Sequence, residues 1–280
     1  MDEEGGGQVE ERSTPAESLD RTGYELDFED TFEGPTLDGR WLPYYLPHWS
    51  SRESSAARYE IRDGLLRLRI DADQGPWCPE FDGSTKVSSL QTGAFAGPLG
   101  SKVGQQRFNP DLVVRQEQPD VALYTPQYGL FELRAKALDD PSAMVALWMI
   151  GYEDEPERSA EICVCEIFGR DVRPDSAAVG MGVHPFGDPA IVDEFSAERH
   201  PIDVREFHVY AAEWTSERVR FFLDDELVKT VGQSPHYPMQ FMLGIYEFPT
   251  DEAARASRYP TDFVVDYFRA YRPAAGQRAR

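Results

Sequence analysis

Two glutamates, Glu161 and Glu166, stand in an apolar run at residues 159–169, Ser-Ala-Glu-Ile-Cys-Val-Cys-Glu-Ile-Phe-Gly. Carboxylates are rarely placed in such a run without a partner or a task, because burying an unpaired charge is costly. On a helix, residues five apart lie about 140° apart around the axis and do not share a face. On a regular strand, odd spacing sends them to opposite faces. A β-bulge resolves the conflict, since one extra residue resets the alternation and returns both side chains to one side. Glu161, Cys163 and Glu166 then face one way, with Ile162 and Val164 toward a core. Two carboxylates on one wall of a cleft can divide into a nucleophile and a proton donor, the pairing that retaining glycoside hydrolysis requires.

The elements that must hold this pair are strands. The segments 57–62 and 65–71 flank Asp63-Gly64, a strong hairpin signal. Segments 128–136, 144–150, 206–214, 218–223 and 263–271 alternate or run apolar at strand length, with a turn expected at Asp224-Asp225. No helix-period segment of comparable length and no internal repeat interrupts them. Many short strands with Gly, Pro and Asp turns predict a single all-β sandwich. Residues 95–125 are irregular and read as a loop insertion of the kind that shapes a cleft. Residues 1–20 carry seven Asp or Glu against one Arg and read as a disordered acidic tail. The folded domain is expected over 21–274, with a short tail at 275–280.

These segments, in this order, resemble glycoside hydrolase family 16, the laminarinase, lichenase, agarase and carrageenase group. The resemblance rests on Tyr128-Gly-Leu-Phe-Glu-Leu-Arg-Ala-Lys136, Ala146-Leu-Trp-Met149, Glu161-Ile-Cys-Val-Cys-Glu166, residues 207–215 and 219–224, and the closing segment 263–271. It covers about residues 24–272 and implies a concanavalin A-like jelly-roll β-sandwich. It also implies Glu161 as nucleophile and Glu166 as general acid/base. Cys163 falls where the family signature has an aspartate. A thiol is a weak donor and a poor acceptor, so the substitution is expected to lower efficiency, by analogy with outer-shell losses of about tenfold to a hundredfold.

Other expectations follow from the same resemblance. His184 is placed near the reacting sugar, or as a hydrogen-bonded histidine at a strand end. Trp148 is placed on the cleft floor as a stacking surface, with a core position as the alternative. Ser89 and Gln91 alternate on one face of the strand implied to carry polar sugar contacts, unless that face is merely solvated. Trp214 is expected in the core, with Glu213 at the cleft edge. Tyr246 and Glu247 mark an altered subsite, and His48 and Trp49 lie in a loop that could supply outer subsites. A structural calcium is implied at Asp266 with the carbonyls of Gly64 and of Thr31, just before Phe32; the alternative is an ordinary exposed Asp266.

The bulk numbers restrict the partners. With a formal net charge of −22, nucleic acid and polyanionic sugars are disfavoured, and a neutral polysaccharide fits better. Three cysteines exclude a dense disulfide framework, though Cys78 could bridge to Cys163 or Cys165. A zinc reading of Cys-Val-Cys lacks further soft ligands nearby. No apolar stretch has membrane-helix length and no secretory start is visible, so the chain as written reads as a cytoplasmic monomer. It reads as extracellular if its N-terminus is trimmed or export is non-classical. The leading expectation is a retaining endo-glycosidase acting on a β-1,3- or mixed-linkage glucan. The alternatives are a transglycosylase, a carbohydrate-binding protein on a weakened catalytic scaffold, and a redox or metal switch at Cys163 and Cys165.

Overall fold

The computed structural model describes residues 17–248 and 258–276. Its strands, in chain order, begin with β1 (Tyr24–Asp30), β2 (Arg58–Arg62), β3 (Leu65–Ile70), β4 (Lys86–Gln91), β5 (Gly93–Ala94) and β6 (Val121–Ala122). They continue with β7 (Gly129–Lys136), β8 (Ala143–Gly151), β9 (Glu161–Phe168), β10 (Val172–Arg173), β11 (Ser176–His184) and β12 (Ser196–His200). The last are β13 (His208–Trp214), β14 (Val219–Leu223), β15 (Glu226–Val231), β16 (Met239–Glu247) and β17 (Thr261–Pro273). Their pairings are antiparallel and form two large sheets. The outer sheet runs β15-β14-β13-β7-β17-β3-β2 with β1 on β17; the inner sheet runs β10-β11-β9-β8-β16-β4 with β12 on β11. This is the predicted sandwich.

Period-2 patterning sets the layers. Leu66, Leu68 and Ile70 of β3 and Phe131, Leu133 and Ala135 of β7 point inward from one sheet. Leu147 and Met149 of β8, and Phe241, Leu243 and Ile245 of β16, meet them from the other. The opposite face of the inner sheet carries a second apolar cluster around Trp77, Trp148, Cys163 and Tyr246. A cleft can therefore form on that face without opening the main core.

The turns have the expected chemistry. Asp63 and Gly64 both take left-handed backbone, φ 57° and 68°, as a two-residue hairpin requires. Asp224 and Asp225 do the same at φ 49° and 68°, a conformation that Asp tolerates better than most residues. One boundary moves. Residues 17–20, expected in the tail, belong to the fold: Ser18 bridges to Glu226, and Leu19 is buried against Leu130, Ala211 and Phe222. The apolar side chain of Leu19 outweighs its acidic surroundings. Residues 1–16 and 277–280, the rest of the expected tails, lie outside the described residues.

Candidate active site

The central strand β9 contains the bulge its sequence demands. Against β8, Trp148 pairs with Cys163 and Leu147 with Cys165, so Val164 is the extra residue. Against β11, the register shifts at the same place, with Gly182 opposite Cys163 and Gly180 opposite Glu166. Ile162, Val164, Cys165 and Ile167 enter the main core. Glu161, Cys163 and Glu166 emerge together in a cavity of about 220 Å³ on the other face. Its wall includes Trp148, Tyr246, Tyr45 and Asp82.

β11 keeps its side chains short where the cleft wall folds over. A Cβ on Gly180 would lie 2.5 Å from the Phe195 ring, and one on Gly182 would lie 2.2 Å from the Glu194 carbonyl oxygen. Glycine thus lets segment 193–195 lie against the strand beside Glu166. His184, at the end of β11, pairs with Glu161 across the ladder. Its ring stacks on Phe195 with centroids 4.5 Å apart, and Nδ1 lies 3.3 Å from Asp193 Oδ1.

The two glutamates differ in their surroundings. Burial raises the pKa of both above the ordinary 4.5. For Glu161, an opposing hydrogen bond comes from Gln106, whose Nε2 donates to Oε1 at 2.6 Å. Glu166 is favoured in its charged form only by more distant charges, those of His184 and Arg170, and the Glu161 charge raises it further. The two carboxyls thus differ in their donors: Glu161 accepts from a neutral amide, and Glu166 has no such bond. Burial also raises Cys163 well above the usual thiol value and Cys165 to about 12, so both stay thiols at neutral pH.

The floor is aromatic. Trp148 Nε1 donates to the Tyr246 hydroxyl at 3.0 Å, and Tyr45 lies edge-on to both Tyr246 and Trp77, at 5.5 and 4.7 Å between centroids. Trp148, expected on the cleft floor or in the core, and Tyr246, expected to mark an altered subsite, both line this cavity.

Several expected contacts are elsewhere. Ser89 and Gln91 share the cleft face, but both are covered: Ser89 lies against the Tyr246 hydroxyl, and Gln91 Oε1 accepts from the Leu46 N–H. They support the floor instead of presenting polar groups to a ligand. Trp49 is fully buried with Nε1 donating to the Gln105 carbonyl at 2.8 Å, and His48 is bound to the same carbonyl. Their loop anchors another loop. Glu213 is on the outer sheet, on the face opposite core residues Ala212 and Trp214, and bonds Arg220 and Tyr24. Glu247 alternates with Tyr246 and so turns away from the cleft, meeting Lys86 at 3.4 Å and the Tyr259 hydroxyl at 2.9 Å. Period 2 forbids Tyr246 and Glu247 from facing one side, and Glu213 is remote because β13 belongs to the outer sheet.

The Asp266 carboxylate, the one charged donor implied for calcium, is paired with the Arg134 guanidinium. Among the described residues, no group of three or more His, Cys, Asp or Glu is arranged to hold a metal. Cys78, Cys163 and Cys165 are all free, so the possible disulfide does not form. No described helix is long and apolar enough to cross a membrane.

Gln106, Glu153, Tyr45 and Asp193 escaped the sequence reading. All four stand in loops, where no periodicity reports which side chain returns to the cleft.

A two-sheet antiparallel sandwich with paired glutamates on a bulged central strand defines the class: a jelly-roll scaffold carrying a carboxylate-pair cleft. Residues 124–265, about half the chain, match the family described as Glycosyl hydrolases family 16, and the chain belongs to that family. Among curated relatives, it is 25% identical over 177 residues to a beta-glucanase of Rhodothermus marinus, covering 52% of this chain and 57% of that protein. It is 25% identical over 243 residues to the endo-1,3-1,4-beta-glycanase EglC of Rhizobium meliloti (strain 1021), covering 84% and 45% respectively. The chain thus spans about half the length of the curated relatives it matches. Among solved structures, it is similar to a GlcNAcα1-4Gal releasing endo-β-galactosidase from Clostridium perfringens. There the TM-score is 0.78 at 30% identity, over 94% of this chain and 66% of that one. The laminarinase from Flavobacterium sp. UMI-01 shares the fold with TM-score 0.60 at 20% identity, over 89% and 100%.

Proposed function

We propose that this chain is a retaining endo-hydrolase of a β-linked glycan. The observation that carries the reading is the unequal environment of two glutamates on one cleft wall: Glu161 receives a strong neutral donor and Glu166 does not. Glu161 attacks the anomeric carbon while Glu166 protonates the departing glycosidic oxygen. Glu166 then takes a proton from water, which releases the sugar from Glu161. His184 favours the ionised form of both carboxylates and so limits how far burial raises them. Trp148 and Tyr246 offer an aromatic surface to a sugar ring, and the cavity is smaller than a typical closed pocket of about 300–1,000 Å³. Both features suit one part of a longer chain.

A β-1,3- or mixed-linkage glucan is the first substrate to test, in line with the names of the curated relatives. A galactoside-containing glycan is the second reading, favoured by the higher TM-score and identity to the Clostridium endo-β-galactosidase.

The test is reducing-end release from β-glucans and β-galactans, comparing wild type with Glu161→Gln and Glu166→Gln. The expected result is turnover on one polymer class that falls by about 10³-fold or more in each variant. The pH profile should be a bell with both limbs above the ordinary glutamate range. Protonation of Glu161 closes its acid side and ionisation of Glu166 its alkaline side. Turnover that survives either substitution would remove the assignment.

A further inference from the structure

The loop at 95–125 does more than border the cleft. Gln106 is 8% exposed and bonds the carboxylate of Glu161, fifty-five residues along the chain. Its own backbone N–H donates to Glu153 Oε1 at 2.7 Å. Gln106 and Glu153 both adopt left-handed backbone, φ 51° and 60°, which costs energy for residues other than glycine and persists only where surroundings enforce it.

The enforcement comes from Gln105, which is fully buried. Its carbonyl accepts from Trp49 Nε1 and is bound to His48 Nε2. Burial lowers His48 to about 4, so the ring is neutral at pH 7 and donates through Nε2–H. The Gln105 side chain donates to the Tyr152 carbonyl at 3.0 Å and to Gln240 Oε1 at 2.7 Å, and accepts from the Phe95 N–H at 3.0 Å. The loop is therefore fastened at Gln105, immediately before Gln106, and at the Gln106 backbone N–H itself.

We propose that Gln106 is a positioning residue for the nucleophile, clamped by Gln105 and Glu153 so that its amide holds Glu161 oriented and ionised. This rests on the reading of Glu161 as nucleophile. On the same face Cys163 offers only a thiol, a weak donor, so the amide is the strong donor in reach. With Oε1 held by the amide, Oε2 is left as the oxygen without that bond. A hydrogen bond to a charged group is among the stronger protein contacts, and it favours the ionised form.

Other groups act on Glu161 as well. Glu153, from the loop after β8, carries a proton at neutral pH, since burial and the Glu161 charge push it to about 8. It thus braces Gln106 without adding a second negative charge. Glu166 adjoins Glu161 on β9, His184 comes from β11, and Asp193 follows from the covering segment. Tyr45 and Tyr246 face it from the floor. None of these is a neutral amide donor, so the signature of Gln106 is separable from theirs.

The test is carboxyl ¹³C NMR of glutamate-labelled full-length protein, with Glu161→Gln assigning the Glu161 signal. In Gln106→Met, which keeps the volume and removes the donor, the Glu161 midpoint should rise by about one pH unit or more. On a hydrolysed polymer, kcat should fall about tenfold to a hundredfold with KM within about threefold, and the acid limb should move up with the NMR midpoint. Gln106→Asn, which withdraws the amide by one methylene, supplies the same readout if Gln106→Met does not fold. An unmoved Glu161 midpoint in a folded variant would overturn the proposal, whatever the turnover. A raised midpoint in a protein that hydrolyses none of the polymers would uphold the clamp and sink the hydrolase reading.

Discussion

Five glutamates on the described strands are largely buried, and they fall into two kinds: Glu132, Glu213 and Glu247 each meet an arginine or lysine, and Glu161 and Glu166 do not. On the outer sheet, Glu213 meets Arg220 Nε at 2.6 Å and the Tyr24 hydroxyl at 3.0 Å, and Glu132 meets Arg21 Nε at 2.6 Å. On the cleft face, Glu161 and Glu166 have no arginine or lysine within salt-bridge distance among the described residues; a neutral amide serves one of them. A guanidinium favours the charged form of a buried carboxylate and fixes its orientation, which suits a joint between strands. Without it, burial raises both cleft carboxyls above the ordinary glutamate range, the environment that the proposed acid/base pair calls for.

The contrast breaks most sharply when the two kinds are attacked in parallel. Glu166→Gln should lose about three orders of magnitude in turnover while Tm stays level or rises, because the amide removes a carboxyl that burial disfavours. Arg220→Ala should do the reverse. It leaves Glu213 buried without its partner, so stability should fall by about 2–4 kcal/mol, read by denaturant titration, with turnover per folded molecule retained. If Arg220→Ala also abolished turnover at a temperature where it is folded, the division would fail.

Glu153 sharpens the comparison, being a buried carboxyl of the cleft side with neither cation nor chemistry. Its pKa is about 8 in the folded protein and ordinary, near 4.5, in the unfolded chain. Between those values the folded state keeps a proton that the unfolded state releases, so stability declines as pH rises from 4.5 to 8. This contribution is complete below about 4.5. Glu153→Gln should therefore be more stable than wild type at pH 8, by on the order of 2–4 kcal/mol, with the gap closing toward pH 5. Parallel melts at the two pH values measure it, and a gap that does not change with pH would refute the assignment.

The smallest effect concerns the floor. Tyr246→Phe removes the acceptor for Trp148 Nε1 and leaves the ring in place. About 1 kcal/mol is expected, seen as a KM raised about fivefold with kcat nearly kept. A kcat loss as large as that of Glu166→Gln would instead put the phenol in the chemistry.

What could be read in advance was what repeats locally. The strands around Asp63-Gly64 and Asp224-Asp225, the apolar runs of β8 and β9, and the need for a bulge between Glu161 and Glu166 are properties of neighbouring residues. Trp148 and Tyr246 were singled out only through the family resemblance, not by any local pattern. The misplaced residues were those whose face depends on strand phase or on distant cover. Glu247 sits one position from a residue that points the other way, and a one-residue error reverses a strand side chain; Glu213 was misplaced because β13 belongs to the outer sheet. Trp49 was offered as part of an outer-subsite loop on composition alone; its burial is decided by the loop that lies on it.

The sequence by itself determined the strand alternation, the turns and the shared face of two glutamates, because bond geometry and period 2 act over a few residues. Only the tertiary structure decided which glutamate receives a donor, since Gln106 reaches Glu161 across fifty-five residues and Gln105 reaches Gln240 across one hundred and thirty-five. Contacts of that separation arise from sheet packing and loop closure. No local pattern encodes them, and they set apart the two carboxyls of the pair.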